Sequence, residues 1–255
     1  MEVLVSIITA TRHRPDTLKR CIEAIQKTDV DYYEHIIVAD HCPYARKVYE
    51  QYKDDPHIRF FDVEEAHMKN QGALSKNLGI EKARGTHICY CDDDNYLLPD
   101  HVRKLYTNMI EQSADIAYSK MHRLKHVERE RSGTHRMICS RKYLDVNGSL
   151  MEAVISGVGP YTDMLCCMHT KKLILRAEEG EGYWCPKGEN GMHEDKELMI
   201  RFTRYNPKTI YVPDYTCVYN IHGGVANGDF EYQEQLKNMK KDQIYVFEDL
   251  LGFMD

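Results

Sequence analysis

Apolar and polar positions alternate in two registers along the first 120 residues, one suited to strands and one to helices. "VLVSII" is a short continuous apolar run and predicts a buried strand. Pro15 follows, then Leu18, Cys21, Ile22 and Ile25, the i, i+3, i+4, i+7 spacing of a one-faced helix with proline in its first turn. "HIIVAD" predicts a second strand, residues 45–52 a helix, and "HIRFFDV" a third strand. Residues 72–84 form a helical stretch stopped at Gly85, "HICYC" predicts a fourth strand, and Pro99 opens a helix with Val102, Leu105, Tyr106 and Met109 on one face. Farther on, "DMLCCMH" predicts a buried strand and 194–205 a helix carrying Leu198, Phe202 and Tyr205. "TIYVPDYTCVYNIH" predicts one or two late strands, and the polar stretch beyond Phe230 a C-terminal helix.

Strand–helix alternation implies an α/β fold whose mainly parallel sheet is covered by helices on both faces. Ligands of such sheets bind beyond the carboxyl ends of the strands. The segments 9–14, 40–43 and 92–95 each follow a predicted strand, so they are expected on one rim. "CDDDN" therefore puts Asp92, Asp93 and Asp94 where chemistry is expected. Three adjacent carboxylates repel one another unless a positive group lies among them, so the alternatives are an acidic turn splayed into water or a cation site. Continued extended geometry would put Asp92 and Asp94 on one face and turn Asp93 away.

Composition narrows the partners. The 255 residues, 42% apolar and 29% charged, are those of an ordinary globular protein, and the formal net charge of −6 argues against a nucleic-acid coat protein. No apolar run is long enough to cross a bilayer, and "VLVSIITA" reads as a strand rather than a signal-peptide core. Nine cysteines without a repeated CxxC pair suit reduced thiols, hence a cytoplasmic protein, with docking at a membrane surface left open. His41, Cys42, Cys185 and His193 lack the spacing of zinc-ligand pairs. Residues 119–143 are rich in Lys and Arg, either a solvated hairpin or a basic surface for an anionic partner.

Two further stretches could complete a site. "MHEDKELMIRF" has Glu194 and Asp195 at a helix start, where the dipole favours acids in any case. "VYNIHGG" ends an apolar strand on His222, a surface position or a metal ligand.

Taken together, "VSIITATRHRP", "IIVAD", "NQGALSKNLGIEKARGTHICYCDDDNYLLPD", "MHEDKELMIRF" and "YNIH" resemble the inverting GT-A glycosyltransferases of family 2, the spore-coat polysaccharide type in particular, in order over roughly residues 3–224. The resemblance implies a GT-A, Rossmann-like sheet with a smaller acceptor-side sub-region. One domain would span 1–228, split into a nucleotide half (1–118) and an acceptor and catalytic half (119–228), with 229–255 a helical extension.

By the same resemblance, Ala10, Thr11 and Arg12 line the nucleotide pocket, Asp40 accepts from uracil, and Gln71 and Lys76 meet the nucleotide or its diphosphate. Asp92, Asp93 and Asp94 match the DxD-type motif with Asp94 as metal ligand, His222 adds a ligand, Asp195 is the catalytic base beside Glu194, and Asp163 and Trp184 lie on the acceptor side. The chain departs from the family at Ala39-Asp40-His41-Cys42, where Asp-Asp-Gly-Ser is usual, and at Arg12 and His13 in the first loop.

The resemblance implies metal-dependent transfer from a nucleoside-diphosphate sugar, a UDP-sugar by the match at Asp40, with Mn²⁺ (or Mg²⁺) neutralising the leaving diphosphate. The acceptor would be a glycan, a lipid-linked glycan or another hydroxyl; nucleic acid is disfavoured by charge. A nucleotidyltransferase, or an inactive sugar-nucleotide-binding module, is the competing reading. "TATRHRP" has no glycine and no GxxxxGK[ST] occurs, which excludes P-loop chemistry.

Overall fold

The computed structural model describes residues 2–63, 72–125, 163–178, 182–185 and 194–221. Its strands are β1 (Val5–Thr11), β2 (Tyr33–Asp40), β3 (Ile58–Val63), β4 (His87–Tyr90), β5 (Tyr96–Leu97), β6 (Ile116–Lys125), β7 (Cys167–Thr170) and β8 (Thr209–Ile221). Its helices are α1 (Pro15–Ile25), α2 (Pro43–Tyr49), α3 (Ala73–Lys82), α4 (His101–Gln112), α5 (Lys171–Arg176) and α6 (Glu194–Thr203). The eight strands form one sheet in the order β3-β2-β1-β4-β7-β6-β8-β5.

β3, β2, β1 and β4 are parallel, as the alternating pattern requires. β7 runs antiparallel to both β4 and β6, β8 is parallel to β6, and β5 antiparallel to β8. The sheet is thus parallel in its first half and mixed in its second. Every residue of β2 is buried, because helices cover both of its faces. Ile37 and Ala39 pack with Leu18 and Ile22 of α1 and Ala45 and Val48 of α2, while the alternate residues Ile36 and Val38 join the main core with Ile80 of α3.

Local chemistry sets the element ends. Proline holds the first turn of α1 and of α2, so α2 starts at Pro43, ahead of the expected 45, and residues beyond Tyr49 form turns. A Cβ on Gly85 would lie 2.7 Å from the Ser6 nitrogen and 2.8 Å from the Val5 carbonyl carbon, so glycine lets the chain enter β4 tight against β1.

Two expectations change. "DMLCCMH" is not one strand: Asp163 Oδ1 accepts from the Leu165 N–H (2.9 Å) and closes a single 3₁₀ turn, Met164–Cys166, before β7. Residues 119–125, read as the start of a basic hairpin or surface, run in β6 beside β8. The late apolar stretch is one strand, and Pro213 and Asp214 within it fall where the β6–β8 register shifts. The expected C-terminal helix lies outside the described residues.

Candidate active site

β1, β2 and β4 are parallel neighbours, so their carboxyl ends share one rim at the point where the strand order reverses, β2 and β3 lying on one side of β1 and β4 on the other. Ala10 and Thr11 end β1, Asp40 ends β2, and Asp92, Asp93 and Asp94 follow β4. The rim is held together by charge. Arg12 Nη1 lies 3.2 Å from Asp40 Oδ2, and Thr11 Oγ1 donates to Asp93 Oδ2 at 2.7 Å.

The aspartates do not keep strand alternation. β4 ends at Tyr90 and the chain turns, with Asn95 N–H donating to the Asp92 carbonyl at 2.9 Å. Asp93 and Asp94 consequently point to the same group: Arg14 Nη1 lies 3.0 Å from Asp93 Oδ1 and 2.6 Å from Asp94 Oδ2. Asp92 faces the other way, toward Lys76 Nζ at 3.6 Å. The extended geometry that would put Asp92 and Asp94 on one face does not continue, because a turn replaces the two-residue period. Burial pushes the Asp93 carboxyl up to about 7, against the opposing pull of Arg14, and raises that of Asp94 as well.

A second cation joins this turn to the far half of the sequence. Lys76, buried in α3, donates to Glu194 Oε1 at 2.9 Å as well as facing Asp92. Its ammonium also lies 4.1 Å from the centre of the Trp184 ring. Burial alone would lower the lysine pKa, but Asp92, Glu194 and Asp195 together outweigh it and raise it, so Lys76 is cationic. Burial raises Glu194 to about 7 despite Lys76. Burial, then the charges of Asp195 and Asp92, raise Asp163 to about 8.

Trp184 is wholly buried and pinned by a reciprocal amide pair: Asn77 Nδ2 donates to its carbonyl (2.9 Å) and its N–H donates to Asn77 Oδ1 (2.6 Å). The structure therefore brings Asp92, Lys76, Trp184 and Glu194 into direct contact, with Asp195 and Asp163 within electrostatic reach. Gln71 and His222 lie outside the described residues.

Sequence reasoning missed Arg14, Asn77 and Asn220. Arg14 was legible as the basic residue before Pro15 in the loop that follows β1. Asn220 donates from its side chain to the Asp94 carbonyl, and its N–H donates to Asn95 Oδ1 at 2.9 Å, tying the aspartate turn to β8. That pairing has no local sequence signal.

Among the described residues, no three His, Cys, Asp or Glu side chains converge as a ready metal cage. Asp94 nevertheless offers a hard carboxylate oxygen at the rim, already set against a positive charge in Arg14, the kind of donor suited to a cation that completes its shell with water and phosphate oxygens. The residues fit a divalent cation of that kind, Mg²⁺ as well as Mn²⁺.

YwdF of Bacillus subtilis (strain 168), an uncharacterized glycosyltransferase, is 31% identical over 116 residues, which cover 45% of this chain and 41% of YwdF. TuaG, a putative teichuronic acid biosynthesis glycosyltransferase of the same organism, is 28% identical over 120 residues, 46% of each chain. The chain therefore spans less than half the length of either relative. The glycosyltransferase GlyG of Streptococcus pneumoniae is 22% identical over 232 residues, 88% of this chain and 73% of GlyG. Residues 1–349 of S. aureus TarS in complex with UDP-GlcNAc superpose with a TM-score of 0.64 at 14% identity, over 87% of this chain and 60% of that one. The fold is thus GT-A. The profile of glycosyl transferase family 2 matches residues 6–174, more than half of the sequence, and the chain belongs to that family.

Proposed function

We propose that the protein is a metal-dependent, inverting glycosyltransferase that moves a sugar from a UDP-sugar to an acceptor hydroxyl. The observation that carries this reading is Lys76, which joins Asp92 of the aspartate turn to Glu194 at the head of α6. A donor at the turn and an acceptor at α6 would then meet across one lysine. The UDP-GlcNAc complex of TarS, a protein of the same fold, supports a nucleotide-sugar ligand. The single continuous sheet supports one domain over 1–228.

In this reading Ala10, Thr11 and Arg12 flank the nucleotide, and Asp40, oriented by Arg12, accepts from the uracil N–H. Gln71 and Lys76 are assigned to the nucleotide or its diphosphate. Asp94, with His222, would hold a divalent cation, which supplies positive charge against the departing diphosphate. Asp195 takes the proton of the acceptor hydroxyl as that oxygen attacks the anomeric carbon. The carbon–oxygen bond to the diphosphate breaks, its electron pair leaves with UDP, and the configuration inverts. Asp163, protonated at neutral pH by its raised pKa, and Trp184 border the acceptor. The acceptor is a glycan, a lipid-linked glycan or another hydroxyl.

All eight described cysteines are thiols, and no helix among the described residues is long and apolar enough to cross a membrane. Both support a cytoplasmic location, with any membrane docking peripheral. UDP release on incubation with a panel of UDP-sugars and Mn²⁺, lost in EDTA, is the expected result. Release of pyrophosphate from a nucleoside triphosphate would favour a nucleotidyltransferase instead, and binding of UDP-sugar without turnover on any acceptor an inactive binding module.

A further inference from the structure

Arg14 occupies the place that the aspartate turn keeps for positive charge. One nitrogen, Nη1, meets both Asp93 Oδ1 at 3.0 Å and Asp94 Oδ2 at 2.6 Å, while the second oxygen of Asp93 is taken by Thr11. The Arg14 backbone is fixed: its carbonyl accepts from Leu18 N–H (3.0 Å) and Thr17 Oγ1 (3.2 Å), and Pro15 locks the next φ. The side chain reaches the rim, where it is 19% exposed.

We propose that Arg14 is the resident counter-cation of the aspartate turn, and that a divalent cation binding at Asp94 displaces its guanidinium. This rests on the metal-dependent reading above and adds a residue to it. A doubly charged ion and a guanidinium repel strongly a few ångströms apart, and the Asp94 oxygen that faces Arg14 cannot serve both in full. Arg14 thereby weakens cation binding until something else, such as an anionic diphosphate, receives the guanidinium. The turn stays neutralised at every stage, first by arginine and then by metal.

The test is Mn²⁺ binding without nucleotide, read by calorimetry and by the electron paramagnetic resonance signal of unbound Mn²⁺. Arg14→Gln and Arg14→Met both remove the competing charge, and Met, of similar length, guards against misfolding of one variant. Each should bind Mn²⁺ roughly ten- to a hundred-fold more tightly than the parent, the scale of a charge-assisted hydrogen bond. Arg12→Gln removes a charge from the same loop but from the Asp40 pair, and should change Mn²⁺ affinity by less than about 3-fold. Equal or weaker binding by the Arg14 variants, or an equal gain in Arg12→Gln, would overturn the proposal while leaving the metal-dependent reading intact. Absence of Mn²⁺ binding by parent and variants, with and without UDP, would overturn both.

Discussion

Lys76 Nζ and Glu194 Oε1 lie 2.9 Å apart, joining residues 118 positions apart in sequence. Both are buried, so the pair holds the head of α6 against α3 where solvent cannot compensate either charge. Lys76→Met strands Glu194. The expected loss, by urea denaturation at pH 8.5, is about 3 kcal/mol. The carboxyl is already raised from 4.5 to about 7 with the lysine present, burial being the main cause, and it rises further without it. A carboxyl with a raised folded pKa destabilises as pH climbs from its unfolded value through its folded one. The deficit of Lys76→Met should therefore shrink toward pH 5, and Lys76→Met/Glu194→Gln should recover part of it at pH 8.5. A deficit independent of pH would contradict the pairing.

Glu194 and Asp195 are adjacent at the first turn of α6, so their side chains project about 100° apart. Glu194 is engaged by Lys76, and in the mechanism proposed above Asp195 is the base on the acceptor. Asp195→Asn should fold, bind UDP-sugar and lose about 10²–10⁴-fold in turnover. Glu194→Gln should retain measurable turnover. The reverse ranking in a UDP-release assay would reassign the base.

Much of this was readable from residue order, for reasons that also explain the rest. β1, β2 and β4 are buried on both faces, so their apolar runs announced them. β5 has two residues and α5 six, too few to show a period, and the hydrogen bonds that define β5 come from β8. β6 was hidden by Lys120, Arg123 and Lys125, which a strand accepts when its partner lies alongside. At the site, the positions of the three aspartates were legible but their directions were not, since the turn after Tyr90 cancels strand alternation. Arg14, Lys76 and Asn220 gained their partners through tertiary contact, which no local pattern encodes.

Gly85 offers a test of packing independent of the site. A Cβ there meets the backbone of the chain entering β1: Ser6 N at 2.7 Å, Val5 C at 2.8 Å and Leu4 O at 2.9 Å. Backbone cannot rotate away, so Gly85→Ala should cost about 2–3 kcal/mol. A Cβ on Gly79 comes closer, 2.5 Å, but to Ile8 Cγ2, a side-chain methyl that yields only by turning χ1 of a buried β-branched residue, still a smaller adjustment than moving backbone. Gly79→Ala should therefore be the milder change in thermal melts. A larger loss at Gly79 than at Gly85 would show that the core around Ile8 is the stiffer of the two.

His101 sets a proton linkage that can be isolated. Its ring is wholly buried at the start of α4. Nδ1 lies 2.7 Å from Thr216 Oγ1, which lies 2.6 Å from Ser119 Oγ, and Nε2 has no hydrogen-bond partner among the described residues. Burial lowers its pKa from 6.5 to about 4, since a charged ring would leave Nε2–H unpaired in the core. Above pH 6.5 the ring is neutral in both folded and unfolded chains and the linkage contributes its full stability. As pH falls from 6.5 toward 4 the unfolded chain binds a proton that the folded chain refuses, so stability is lost across that window. One proton corresponds to about 1.4 kcal/mol per pH unit. Plotted from urea titrations between pH 6 and 4.5, the stability of His101→Gln should fall less steeply than that of the parent by about that slope, whatever its absolute value. Parallel curves would mean that His101 accepts its proton in the folded protein, and that the Thr216 contact holds a charged ring.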